Sequence, residues 1–162
     1  MNSNDIINDR WNRRQNDLPH WQFGGSTYFI TFRSARGVLP GTALDSLRDH
    51  LRDGHGTQYD LDFAVLMPDH VHLLLRPREI TEGAWVDLGD VMQKIKGGSA
   101  RKINIALGTT GTVWQKESYD RIVRDSAEYE KHWNYMFWNP RIAGLVEDPD
   151  AYPYFVRPAR DS

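Results

Sequence analysis

Apolar and polar positions alternate along residues 26–33, STYFITFR, a stretch rich in β-branched and aromatic types, and this predicts a first strand. From Pro40 the period changes. Leu44, Leu47 and Leu51 recur at i, i+3 and i+7, the spacing of a helix that Asp53-Gly54 and Gly56 then stop. Residues 57–67, TQYDLDFAVLM, and 70–76, HVHLLLR, read as two more strands joined across Pro68-Asp69. Both faces of that hairpin are largely apolar, which places it centrally in a sheet. Residues 85–107 predict a long helix with Val86, Val91, Ile95, Ile103 and Leu107 on one stripe. Gly97-Gly98 interrupts it, each glycine costing about 1 kcal/mol against alanine. A short strand at 112–115 follows. Asp125 and Glu128 form a capping pair that opens a last helix, which runs to about Phe137 and ends before Asn139-Pro140.

The predicted order is β-α-β-β-α-β with a C-terminal helix and a proline-rich tail. It implies an α+β, ferredoxin-like sandwich: an antiparallel sheet with helices packed mainly on one face, plus the C-terminal helix. Residues 1–24 read as an N-terminal arm anchored by Trp11, Trp21 and Phe23, and residues 25–162 as a single catalytic domain. The chain has 162 residues, 40 % of them apolar and 12 % aromatic, enough to bury a core. It holds no cysteine, which removes disulfides, thiolate zinc sites and cysteine nucleophiles. No signal-peptide-like core and no run of 18 apolar residues occurs, so a cytoplasmic protein with no membrane partner is expected.

The unusual stretch is LMPDHVHLLLRP, residues 66–77. Side chains two apart on a strand share a face, with Cα atoms roughly 7 Å apart. His70 and His72 therefore point the same way, while Val71, Leu73 and Leu75 point into the core. Two imidazoles so placed suit one divalent ion, and the neutral ring is the ligating form. Two ligands do not make a tight site, and a third is not evident from spacing. Leu74 occupies the place a third histidine would take in an H-x-H-x-H pattern.

A second stretch, VWQKESYDRIVRD at 113–125, surrounds Tyr119 with Lys116, Glu117, Asp120, Arg121 and Arg124. This is poor company for a core tyrosine, and it places Tyr119 just after an edge strand, where a helix presents it to a cleft. Tyr28, Tyr135 and Tyr152 read instead as ordinary packing residues. A phenol near pKa 10 is a weak nucleophile unless a cation polarises its target, so tyrosine, divalent metal and basic groove together describe phosphoryl transfer on a nucleic-acid backbone. Net charge is −2, against a broad positive field, but residues 92–106 carry Lys94, Lys96, Arg101 and Lys102 with no acid.

These stretches, with LPHWQFGGSTYFITFR before them and NPRIAGLVEDPDAYPY after, resemble in order the HUH (His-hydrophobic-His) single-tyrosine transposases, most closely the REP-associated tyrosine transposase branch. The likeness spans roughly residues 18–155. It implies a ferredoxin-like domain that nicks and rejoins single-stranded or hairpin DNA of REP-like palindromes through a 5′-phosphotyrosine, assisted by Mg²⁺ or Mn²⁺. It makes Tyr119 the nucleophile and His70 and His72 the metal ligands. In related insertion-sequence transposases the third ligand can be a glutamine four positions after the tyrosine; here that position is Val123, leaving Asp120, Glu117 or water. Lys94, Lys96, Arg101 and Lys102 become the DNA-binding groups, with a bend at Gly97-Gly98 bringing phosphates close. Arg10, Arg13 and Arg14 of the arm are candidates for sequence readout, and Trp114 and Trp138 are expected in the core. A nucleoid-associated protein follows, and monomer and homodimer both stay open. The alternative is a non-catalytic single-strand binder on the same fold.

Overall fold

The alternation at the start of the chain and the apolar hairpin build one sheet. In the computed structural model, which describes residues 25–158, β1 is Thr27–Ser34, β2 is Tyr59–Leu66 and β3 is His70–Pro77. A small hairpin follows, β4 at Glu79–Thr81 and β5 at Ala84–Trp85; then come β6 at Trp114–Val123 and β7 at Phe155–Val156. The five-stranded sheet has the order β6-β1-β3-β2-β7, every pair antiparallel, so the apolar hairpin is indeed central and β6 is an edge. This is the ferredoxin-like order with one short strand added.

Two cores flank the sheet. Helices α1 (Gly41–Gly54) and α2 (Leu88–Leu107) cover one face, packing Leu44, Leu47, Leu51, Val91, Ile95 and Ile103 on Ile30, Phe32, Val71, Leu73 and Leu75. Helix α3 (Ser126–Ile142) covers part of the other, with Met136 packed near Phe29, Phe63, Val65 and Leu74. The N-terminal arm, with Arg10, Arg13, Arg14 and its anchors, lies outside the described residues.

Three expectations are corrected. Residues 84–85 pair as β5, so α2 opens only after Asp87, whose carboxylate accepts from the Gly89 N–H at 2.7 Å. Helix α2 also runs unbroken through Gly97-Gly98. A Cβ on Gly98 would stand 2.4 Å from Cε1 of His50 on α1, whereas one on Gly97 would meet nothing within 4 Å. Gly98 therefore lets two helices approach, and His50 uses the space to bond the Lys94 carbonyl at 3.0 Å. Gly97→Ala is expected to raise stability by up to about 1 kcal/mol. Gly98→Ala is expected to lower it by about 1 kcal/mol, because an overpacking cost of about 1–3 kcal/mol exceeds the helix-propensity gain. Urea unfolding midpoints of the two variants, moving in opposite directions, check this.

The third correction concerns the last helix. The capping pair is present: Asp125 Oδ1 accepts from the Glu128 N–H at 2.8 Å and Glu128 Oε2 from the Arg124 N–H at 2.9 Å. The helix then continues past Phe137 to Ile142, with Pro140 inside it. Proline lacks a donor and crowds the carbonyl four residues before it, but it stands in the last turn, and the Ala143 and Leu145 N–H groups close the end on the carbonyls of Asn139 and Pro140, both at 2.9 Å.

Candidate active site

Strand β3 is the middle of the sheet, so its side chains are fixed by neighbours on both sides. His72 lies opposite Thr31 of β1, and Thr31 in turn lies opposite Tyr119 of β6. Directly opposed residues share a face. Tyr119, Thr31 and His72 thus form one row, and it faces α3, away from α1 and α2.

The two imidazoles are held differently. His72 is 4 % exposed, and its Nδ1 is 2.7 Å from Thr31 Oγ1. With the hydrogen on Nδ1 donated to Thr31, Nε2 keeps its lone pair, and that buried atom has no hydrogen-bond partner among the described residues. Burial, then the charges of His70 and Arg33, push its pKa down to about 3. His70 stands 4.9 Å away by ring centroid, edge-on, with its Nδ1 2.7 Å from the Asp69 carboxylate. That bond to His70 holds Asp69 below the usual carboxylate range. A carboxylate on one ring nitrogen is the support that metal-ligating histidines use. The residues fit a divalent ion with two imidazole donors, although no group of three or more His, Cys, Asp and Glu is gathered for one among the described residues.

A cleft of about 600 Å³ opens over this row, bounded by His72, Tyr119, His132, Tyr135 and the basic pair Arg33 and Lys131. Tyr119 is 55 % exposed and borders the same cleft as His72. It stands in β6 itself, not on a helix, because the predicted four-residue strand extends to ten residues. Asp120 alternates to the opposite face, beside Ile30, so of the two acids named from the sequence only Glu117 borders the cleft.

Two cleft residues were not among the sequence candidates. Tyr135, read there as a packing residue, is 53 % exposed, and its ring meets that of His72 edge-on at 5.3 Å. His132, one turn earlier on α3, stacks on Phe29 at 4.2 Å and keeps a buried Nε2 without a hydrogen-bond partner among the described residues. Burial, with Arg121 and Lys131 nearby, draws its pKa down to about 4. His132, Tyr135 and Asn139 follow i, i+3, i+7 and so share one helical stripe, which is the signal that finds them. Asn139 also stands four positions after Tyr135, where Val123 stands four after Tyr119.

The folded pKa of His132 lies below its unfolded value near 6.5, so its contribution to stability is intact above that value and is lost as pH falls toward about 4. Metal-free protein is expected to lose stability across that interval. His132→Gln should flatten the loss, as read by thermal melts from pH 7 to 4.

The four basic residues of α2 lie across the sheet from this cleft. Lys96 donates to the carbonyls of Gln115 (2.6 Å) and Lys116 (3.2 Å) and to Ser118 Oγ (3.0 Å), tying α2 to the edge strand. Lys94 reaches Thr57 Oγ1 at 3.5 Å and Lys102 pairs with Asp53 at 3.9 Å, while Arg101 is exposed. Trp114 is buried as expected, whereas Trp138 is 41 % exposed. No helix among the described residues is long and apolar enough to cross a membrane.

No family model matches the chain. It is 26 % identical to a Haemophilus influenzae protein assigned to the REP-associated tyrosine transposases, over 80 % of this chain and 78 % of that protein. It is 23 % identical to the REP-associated tyrosine transposase of Escherichia coli K12, over 80 % and 75 %. It is 32 % identical to the ISDra2 transposase TnpA of Deinococcus radiodurans, over 67 % and 62 %. Among solved structures it resembles a REP-associated tyrosine transposase bound to a REP hairpin, with a TM-score of 0.62 at 21 % identity over 82 % of this chain and 76 % of the other.

Proposed function

We propose, from the premise that this chain belongs to the REP-associated tyrosine transposases, that it cuts and rejoins hairpin DNA with the phenol of Tyr135 as nucleophile. The single observation that carries the reading is the contact, at 5.3 Å between rings, of an exposed tyrosine with a buried imidazole whose Nε2 has no hydrogen-bond partner among the described residues. Tyr135 Oη attacks the phosphorus, the bond to the 3′-oxygen breaks, and a 5′-phosphotyrosine and a free 3′-OH result. The phenol proton leaves and the departing 3′-oxygen takes one up. Attack by a 3′-OH on the phosphotyrosine reverses the step and restores the phenol.

His70 and His72, through Nε2, and the carboxamide of Asn139 are the groups that would hold Mg²⁺ or Mn²⁺. The amide four places after Tyr135 answers the pattern that Val123 fails after Tyr119. A bound divalent cation would polarise the scissile phosphate and offset its charge. Arg33 and Lys131 border the cleft and serve as strand-positioning cations, which supports them over the α2 row for contacts near the reacting phosphate. One chain supplies both imidazoles and the phenol, which supports a site complete without a second copy.

Tyr119 is the second reading, supported by its row with Thr31 and His72 and by its exposure. The test of the function is incubation with a labelled hairpin carrying a single-stranded flank, with Mn²⁺, followed by a denaturing gel. A covalent protein–DNA adduct is expected; binding without an adduct in any divalent cation would leave a non-catalytic single-strand binder. His72→Ala is expected to weaken Mn²⁺ binding at least about tenfold by calorimetric titration, a second-shell change already costing that much.

A further inference from the structure

Helix α3 leaves one side of its last turns uncovered. Trp138, three residues after Tyr135 and so its neighbour on the helix surface, keeps 41 % of its surface exposed. Its ring is fixed on two sides: the Arg141 guanidinium lies 5.6 Å above the centroid, and Phe137 meets it edge-on at 5.4 Å. An indole this exposed gains little by burial within the chain. Holding it rigid beside an exposed cation costs conformational freedom that the fold itself does not need.

We propose that Trp138 and Arg141 form a stacking platform for an unpaired base of the single-stranded DNA flanking the scissile phosphate. The inference rests on the reading of Tyr135 as the attacking group. Three residues of helix advance about 4.5 Å, so a strand whose phosphate lies at Tyr135 passes an adjacent base over Trp138. Indole and guanidinium planes both stack on any nucleobase, and the guanidinium answers the backbone charge, a combination suited to DNA rather than to an apolar partner. Ile142 and Leu145, also exposed, extend the same end of the helix, and a second copy of the chain is the competing occupant.

The experiment compares a hairpin with a single-stranded flank against the same hairpin cut blunt, by fluorescence anisotropy with the full chain. Trp138→Ala is expected to weaken binding of the flanked hairpin about tenfold, Trp138→Phe to retain most of it, and blunt-hairpin binding to stay unchanged. Equal affinity of wild type and Trp138→Ala for the flanked hairpin overturns the platform, as does equal loss for both DNAs. Sedimentation that finds a wild-type dimer and a Trp138→Ala monomer also overturns it, by assigning the face to a second copy. The adduct gel runs in parallel: an adduct from wild type with unchanged Trp138→Ala affinity sinks the platform alone, and no adduct from wild type sinks the transposase chemistry instead.

Discussion

Tyr135→Phe is expected to abolish the covalent DNA adduct while leaving hairpin affinity within about twofold. The substitution removes one oxygen from a ring that is already half in solvent, so fold and cleft survive. What is lost is the atom proposed to form the phosphotyrosine bond. The rate should drop at least about a thousandfold, equivalent to roughly 4 kcal/mol of transition-state stabilisation. Tyr119→Phe, on the opposite wall of the cleft, is expected to keep most adduct formation. Quantifying the adduct band for the two variants side by side decides between the phenols. If Tyr119→Phe loses the adduct and Tyr135→Phe retains it, the assignment reverses, and Glu117 becomes the acid that shares the nucleophile's cleft.

Trp114→Ala is expected to cost about 3–5 kcal/mol of stability, the range for truncating a buried tryptophan. Trp114 is 4 % exposed, meets Phe32 edge-on at 4.8 Å and donates its indole N–H to Ser99 Oγ at 2.9 Å inside the core. With Lys96 it links the edge strand β6 to α2, so its removal loosens the wall that carries Tyr119. A domain of this size is typically stable by only about 5–15 kcal/mol, and the urea midpoint should fall steeply. Ser99→Ala separates the terms: it keeps the indole packing and orphans one buried donor, at a cost of about 1–3 kcal/mol.

How far the chain discloses itself differs element by element. The central hairpin and α1 are legible because burial on a known face enforces a strict period: Leu44, Leu47 and Leu51 all reach the core. The H-x-H strand is legible for the same reason, since Val71, Leu73 and Leu75 leave His70 and His72 only one direction. Strand β6 was read too short because an edge strand needs few apolar residues, and Lys116, Glu117 and Asp120 serve it as solvent-facing charges. The β4–β5 hairpin is largely exposed and left no pattern to read.

The site itself was half visible. Tyr135 sits among Trp133, Met136 and Phe137 and reads as core by company; only its angular position on the helix, away from Met136, puts its ring over the cleft. His132, one turn earlier, is found by the same angle. The basic cluster of α2 was legible as charge but not as a place in the sandwich. Charge density along the chain says nothing about which layer of a sandwich a helix occupies, and α2 packs behind the sheet.

Because His70 and His72 ride on the strand with two neighbours on either side, their spacing is insulated from whatever happens at the periphery. The β4–β5 hairpin pairs only with itself, in a separate two-stranded sheet, so a change there leaves the strands around the two imidazoles in place. A chain built this way can vary along that edge while the histidine pair keeps its spacing.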